Sequence, residues 1–477
     1  MIQLISRDTL YMYNLYHIAK AFFPNEEIRQ EINTEQEPLV KMEREGGSCF
    51  LVMKEEVSNL ADRQEKKQFV TRRFYEYLSR QTQRTLAWGT LTGVRPTKLI
   101  MQQMEKGMDE EKIIDFLGKT YYVSREKARL GIEIAGREKM LLGQLDYKDG
   151  FSLYAGIPFC PSICSYCSFS SSPLEMWKDK VDLYLDALCK EIEAIGRAAA
   201  NGEKKLNTIY IGGGTPTTLE PEQLERLLCR IDRSFDYGHL REYTIEAGRP
   251  DSLTKEKLQV IHRHPVTRIS VNPQTMQQKT LDAVGRRHTV QEVKDIFWLA
   301  RELGFDNINM DLIAGLPGET AEDMRDTLQQ IEELKPDSLT VHSLAIKRAA
   351  KFGQNHQEID LHSAIAQMVE DSRRTAMRMG LKPYYLYRQK NMAGNFENVG
   401  YAEVDKAGIY NILIMEEKQT ILAAGAGAST KIVLPEKIRM ENGKESNLVR
   451  IENVKDITEY IRRIDEMIER KEEWLWH

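Results

Sequence analysis

Three of the six cysteines crowd into one stretch, Cys160, Cys164 and Cys167 in YAGIPFCPSICSYCSF. At that overall frequency, chance would set two further cysteines at fixed offsets from a first about once in 6,000 trials, so the cluster reads as chemistry. Thiolates hold zinc or iron–sulfur clusters. Closed zinc sites want four ligands, yet no histidine lies between these cysteines or in the flanking twenty residues. Iron–sulfur clusters are also commonly held by four thiolates. Three therefore suggest a [4Fe–4S] cluster with one iron left open to bind something else. Zinc and unligated thiols are the alternatives. Cys49, Cys189 and Cys229 are isolated and read as buried small hydrophobes.

Other candidate residues are weaker singly. The run Ile211-Gly-Gly-Gly-Thr-Pro-Thr217 would let backbone groups approach a ligand without Cβ obstruction, although a structural turn is the plainer reading. Glu246, Gln274 and Asp311 each fall at or just beyond a predicted strand end, where they could accept hydrogen bonds from hydroxyl or ammonium groups. His288 and His342 are candidates for proton transfer or substrate contact, with satisfied structural histidines as the alternative.

The elements that must position these residues follow from periodicity. From residue 151 onward, short β-branched or aromatic runs at 151–157, 206–211, 242–247, 266–271, 307–312 and 338–344 alternate with helical patterns at 178–199, 221–234, 254–263, 290–303 and 320–334. Strands separated by helices imply parallel pairing with right-handed crossovers. Six such units predict an α/β fold, an open, partial (β/α)6 TIM-like barrel, whose chemistry sits at the carboxyl ends of its strands. The cysteines follow the first strand and the glycine run follows the second. Residues 1–148 read as an N-terminal α+β accessory domain with strands at 38–42 and 48–53, a turn at Gly46-Gly47 and helices near 66–84 and 109–119. Residues 149–355 carry the barrel, and 356–477 a mixed C-terminal domain. In the latter we expect a helix at 358–379, a loop over 384–401, strands at 409–415 and 419–424, and a charged terminal helix.

With 67 Lys+Arg against 72 Asp+Glu, the net charge of −5 argues against a dedicated nucleic-acid binder. No apolar run approaches the roughly 18 residues of a transmembrane span, and the N-terminus lacks a signal peptide's apolar stretch. A cytoplasmic location is expected.

C-x3-C-x2-C with an aromatic before the third cysteine resembles the radical S-adenosylmethionine (SAM) enzymes. The flanks, from about residue 150 to 430, are similar to oxygen-independent coproporphyrinogen III dehydrogenases, and residues 356–477 would then be their HemN-like C-terminal domain. Over its whole length, including GVRPTK and YRQKNMAGNFENVGY, the chain most resembles the HemZ branch. This resemblance implies that the open iron chelates the amino and carboxylate groups of SAM, and that one electron then cleaves SAM to a 5′-deoxyadenosyl radical. It implies two SAM molecules near one cluster, a tetrapyrrole substrate and an electron donor such as flavodoxin or ferredoxin. It carries SAM contacts onto Tyr154, Tyr166, Gly213, Gly214, Thr215, Glu246, Gln274, Arg286, Asp311 and Ala345, with Gly425 and Gly427 closing the site. Propionate side chains need cationic partners, for which Arg249, Arg287, Arg348 and Arg388 are available. The chain departs from the typical dehydrogenases at two positions. Phe169 stands where they have a fourth cysteine, and Gly156 where they have a histidine. The related heme chaperone branch, HemW, also has Phe at the first of these. Two activities are therefore implied: oxidative decarboxylation of propionates to vinyls, giving protoporphyrinogen IX, or heme binding and delivery. Another radical SAM reaction on a tetrapyrrole is a third.

Overall fold

The computed structural model describes all residues except 25, 46, 94, 345–360, 389–395, 441, 442, 444, 476 and 477; for 48 and 361–363 it describes the backbone alone. Ala345, Arg348 and Gly46 thus lie outside the described residues. The chain divides into two compact units, Met1–Gly136 with His342–Glu370 and Leu386–Val399, and Arg137–Val341 with Asp371–Tyr385 and Gly400–His477.

In the first unit, strands β1 (Ile2–Ser6), β2 (Ile28–Ile32), β3 (Val40–Arg44) and β4 (Ser48–Val52) form a sheet in the order β2-β1-β3-β4. Alternate residues Ile2, Leu4, Val40 and Met42 are buried, as the two-residue period of a one-sided sheet requires. Helices Thr9–Phe22 and Arg63–Thr82 supply Leu15, Ile18, Phe22, Phe74 and Leu78 to the same core. Both start at an aspartate cap, Asp8 accepting from Leu10 N and Asp62 from Glu65 N. Deeper in the unit, the buried Glu397 carboxylate accepts from Trp88 Nε1 and from Lys127 Nζ, each at 2.7 Å. The unit is therefore built from distant segments as well as from the first 136 residues.

The second unit is organised on strands β5 (Gly150–Ile157), β8 (Lys205–Gly213), β9 (Glu242–Ile245), β10 (Arg268–Ser270), β11 (Ile308–Ala314) and β12 (Ser338–Ser343). They neighbour one another in chain order, and the pairings from β5 to β11 are parallel. Helices Val181–Asn201, Pro221–Ser234, Lys255–His262, Val290–Glu302 and Ala321–Leu334 intervene, close to the expected spans. Thr289 and Thr320 start the last two with reciprocal capping boxes. This is the expected α/β architecture, a partial (β/α)6 arrangement. It remains open: the free edge of β5 is taken by β15 (Thr420–Ala424), followed by the antiparallel β16 (Ser429–Arg439) and β17 (Glu445–Glu452). β6 (Phe159–Cys160) and β7 (Ser172–Pro173) form a separate two-stranded pair, while β13 (Lys382–Tyr387) and β14 (Asn398–Ala402) lie beyond β12.

Two C-terminal expectations are corrected. The run IYNILIM is not a strand but the start of helix Ile409–Glu416. A short apolar run suits a buried strand and a buried helix equally, and here the Glu242 carboxylate decides, accepting from the first two amides, Ile409 N and Tyr410 N. The segment expected to be a loop over 384–401 contributes to β13 and β14, whose burial satisfies Tyr384, Leu386 and Val399. The expected charged terminal helix is present as Ile464–Glu472, preceded by the short helix Ile457–Arg462 and by the β16–β17 hairpin.

Candidate cofactor site

The cysteine loop leaves the barrel at the carboxyl end of β5. The β6–β7 pair closes it, so the three thiols hang from one short, pinned connection. Ser162 Oγ donates to Gly285 O at 3.0 Å and Ser165 N to Val284 O at 3.1 Å. Arg249 grips Asp251 with two hydrogen bonds, of 2.9 and 2.6 Å, and donates from Nη1 to Ser162 O at 3.0 Å. The same Nη1 lies 3.5 Å from Cys164 Sγ, and Thr215 Oγ1 lies 3.5 Å from Cys160 Sγ. A guanidinium and a hydroxyl donor thus stand beside two of the three sulfurs. Cys160 and Cys164 are buried. Burial, and next the neighbouring Cys164 and Cys160 sulfurs, push the Cys167 thiol up. The three sulfurs do not all come within 4.8 Å, as only one other donor group does among the described residues. A tetrahedral zinc with bonds of about 2.3 Å would draw them to about 3.8 Å. Three clustered thiols with a wider spread fit a multi-iron cluster better than one zinc ion.

The glycine run forms the floor beside this loop. Gly213 has φ +105°, and a Cβ there would sit 2.9 Å from Ile157 O. A Cβ on Gly214 would meet Phe159 O at 2.5 Å and Cys160 Sγ at 3.0 Å. The amides of Gly214 and Thr215 donate to Ile157 O and Phe159 O at 2.6 and 2.7 Å. The glycines therefore bring the end of β8 hard against the cysteine loop, and two amides expected to face a ligand hold that approach instead.

Along the strands most side chains are buried, but Tyr154, Tyr210, Glu246, Gln274 and Asp311 are only partly so. They form a polar row in which Glu246 and Gln274 lie beyond β9 and β10, whereas Asp311, expected at a strand end, lies inside β11. Glu246 accepts from Tyr210 Oη, from Ser270 Oγ at 3.1 Å and from Asn272 Nδ2 at 3.1 Å. Asn272 Oδ1 in turn accepts from Asp311 N at 3.1 Å, joining the two acids through one amide side chain. Burial, and next the Asp311 charge, hold the Glu246 carboxyl above the usual range against the hydrogen bonds it receives. Gln274 has φ +68° and exchanges backbone hydrogen bonds of 2.9 Å with Asp311 O and Ile313 N. The rings of Tyr154, Tyr210 and Tyr410 stack, with Tyr210 and Tyr410 centroids 4.4 Å apart. Burial, then the Glu246 charge, pushes the Tyr154 phenol up to about 12. Tyr210, Asn272 and Tyr410 were missed in the sequence. Tyr210 shares the face of Gly212 by strand parity and pairs with Tyr154, a signal that needs the register.

Arg286 is buried, donating to Asn272 O at 2.6 Å, Gly248 O at 3.2 Å and Tyr166 Oη at 3.2 Å. Its Nε is buried without a partner, a donor left over for a ligand. Gly425 (φ +113°) closes on β5, where a Cβ would lie 2.6 Å from Gly156 O. Gly427 also has positive φ, at +68°.

The remaining expected residues are dispersed. Arg287 is exposed. Arg249 is spent on Asp251 and the cysteine loop, while the buried Arg388 donates to Leu91 O and Phe396 O. His288 is fully buried, 3.8 Å from Asp251, and burial lowers its pKa. His342 Nδ1 meets Tyr387 Oη at 3.1 Å. Phe169 is 73% exposed, and a Cβ at Gly156 would lie 3.2 Å from the Tyr154 ring.

Residues 154–331 match the Radical SAM superfamily. The chain is 41% identical, over 84% of its length and 79% of the relative's, to the oxygen-independent coproporphyrinogen-III oxidase-like protein HemZ of Bacillus subtilis (strain 168). To the heme chaperone HemW of the same organism it is 39% identical, over 44% of this chain and 55% of that one. The solved coproporphyrinogen III oxidase (HemN) from Escherichia coli shares the fold, with a TM-score of 0.52 at 23% identity over 70% of this chain and 74% of that one. No helix among the described residues is long and apolar enough to cross a membrane.

Proposed function

Because the chain belongs to the coproporphyrinogen-III oxidase-like HemZ family of radical SAM proteins, we propose that it oxidatively decarboxylates propionates of coproporphyrinogen III. The extent of the match supports this reading above all: it covers 84% of the chain, against 44% for the chaperone of the same organism. In the net reaction each of two propionates loses a β-hydrogen atom, one electron to an acceptor, and CO2, leaving a vinyl group. A flavodoxin- or ferredoxin-type protein would donate the initiating electron.

The radical SAM family uses a [4Fe–4S] cluster and SAM, and together these supply a radical able to take that hydrogen atom. In our reading Cys160, Cys164 and Cys167 ligate three irons, and Arg249 neutralises the thiolate loop rather than meeting substrate. Gly213, Gly214 and Thr215 form the wall against which the methionine part of SAM packs. Glu246 and Asp311, tied through Asn272, accept hydrogen bonds from its polar groups, with Gln274 alongside. Arg286 orients Tyr166 and offers its unpartnered Nε to a carboxylate. Tyr154 packs on the same row. Arg287 meets a substrate propionate.

A second reading, heme binding without turnover, is favoured by one local feature. A Cβ at position 156 would lie 3.2 Å from the Tyr154 ring, and the exposed Phe169 stands where the typical dehydrogenases have a cysteine. One experiment separates the two. Reconstituted protein is incubated anaerobically with SAM, a reductant and coproporphyrinogen III deuterated at the propionate β-carbons. We expect deuterium in 5′-deoxyadenosine together with CO2. SAM cleavage without deuterium transfer, alongside stable stoichiometric heme binding, would decide for the chaperone role.

A further inference from the structure

Cys229, isolated in the sequence, is not alone in the fold. It lies one helical turn after Glu225 on helix Pro221–Ser234, and so on the same face. Its Sγ is 3.5 Å from Glu225 Oε1. His264, two residues beyond helix Lys255–His262, turns its Nε2 onto the same carboxylate oxygen, also at 3.5 Å. One atom from each of the three lies within 4.8 Å of the other two, and no other cluster of His, Cys, Asp or Glu among the described residues does this.

Two further observations point to a ligand. The His264 side chain is only 6% exposed, and its Nε2 is buried without a hydrogen-bond partner. The other ring nitrogen, Nδ1, lies 2.6 Å from Asp232 Oδ2, and Asp232 is itself held by Tyr237 Oη at 2.6 Å. The carboxylate on Nδ1 orients the ring so that Nε2 faces Glu225 and Cys229. Histidine metal ligands are oriented in this way. For a tetrahedral ion with nitrogen, sulfur and oxygen ligands at zinc distances, the donor–donor edges are about 3.4–3.6 Å. Two of the three edges already have that length.

We propose that Glu225, Cys229 and His264 form a second metal site, specific for a zinc-class divalent ion and separate from the cysteine loop. The donor set is borderline-soft nitrogen, sulfur and oxygen, which suits zinc and not magnesium or calcium. Three protein ligands leave a fourth position for water. Arg263, on the other Glu225 oxygen at 2.5 Å, keeps that carboxylate turned toward the site. The Cys229 thiol must lose its proton on ligation, so each ion bound releases one proton to solvent. The ion would staple two helices of the outer layer.

Cobalt(II) is the probe, added to full-length protein carrying Cys160→Ala, Cys164→Ala and Cys167→Ala, which removes the competing thiols. We expect one cobalt per chain with a thiolate-to-cobalt charge-transfer band and tetrahedral ligand-field bands. Adding Cys229→Ser should abolish the charge-transfer band, and Asp232→Asn should weaken affinity about 10–100-fold. Absence of the band, or its survival in the Cys229→Ser background, would overturn the proposal and leave only an ion-pair network. Should the triple variant fail to fold, cluster-reconstituted wild type and Cys229→Ser are compared for zinc retained against a competing chelator. One zinc fewer in the variant supports the site, and equal zinc overturns it.

Discussion

The surroundings of Glu246 work against its charge. Its ordinary value is 4.5, and burial with Asp311 beside it raises the folded value. Above pH 4.5 the unfolded chain gives up this proton while the folded chain keeps it. Stability therefore falls as pH rises from 4.5 through the raised folded value, and is level beyond it. Glu246→Gln should flatten that part of the profile, measured by denaturant unfolding across mildly acidic pH. The two glycines beside the cysteines make a second residue-scale prediction. Gly213→Ala places a Cβ against backbone only, at positive φ, and should impair SAM binding while iron and sulfide content stays near wild type. Gly214→Ala places it 3.0 Å from Cys160 Sγ, so iron should be lost as well. Iron, sulfide and SAM-binding assays on the pair check this; equal retention of iron by both variants would contradict the packing argument.

At the scale of elements, one buried carboxylate locks the C-terminal helix to the barrel. Glu191, on helix Val181–Asn201, pairs with Lys471 and accepts from Tyr460 Oη at 2.5 Å, Asn453 Nδ2 at 2.8 Å and Gly425 N at 2.9 Å. Both members of the ion pair are essentially inaccessible, at 0% and 1% exposure. Glu191→Leu would leave Lys471 charged and unpaired, at a cost of about 3–5 kcal/mol. Glu191→Leu with Lys471→Met should recover much of that loss, because two apolar groups need no partner. Chemical denaturation of the single and double variants tests the difference. The same network fixes the Gly425 turn, so the single variant should also perturb the wall at Gly156.

For the molecule as a whole, the question is what residues 1–148 can do alone. Lys127 is a buried cation, and Trp88 is fully buried; both donate to Glu397, far along the chain. Burial alone would lower the Lys127 pKa, but the Glu397 charge and hydrogen bond outweigh it and keep the ammonium protonated. A fragment of residues 1–148 lacks that partner. It should be cut by protease faster than the same residues within the full chain, and Glu397→Ala in the full chain should reproduce part of the effect. Equal resistance of the fragment would mean that the first 148 residues are self-sufficient after all.

The sequence by itself determined what depends on short-range spacing. The cysteine triplet, the alternation of strands with helices, and the placement of Glu246 and Gln274 beyond their strands follow from covalent proximity or a two- or 3.6-residue period, whereas Asp311 falls inside its strand. Helix boundaries followed where caps are local, as at Asp109, Thr289 and Thr320. Only the tertiary structure decided contacts whose partners are far apart along the chain. Glu242 turns 409–416 into a helix from well over a hundred residues away, Asn272 ties Glu246 to Asp311, and the amides of the glycine run are spent on Ile157 and Phe159. The Glu225, Cys229 and His264 cluster is of the same kind, since its histidine comes from the next helical unit. Hydrogen bonds and ligand sets between separate elements leave no periodic trace, because either partner alone is an ordinary polar residue.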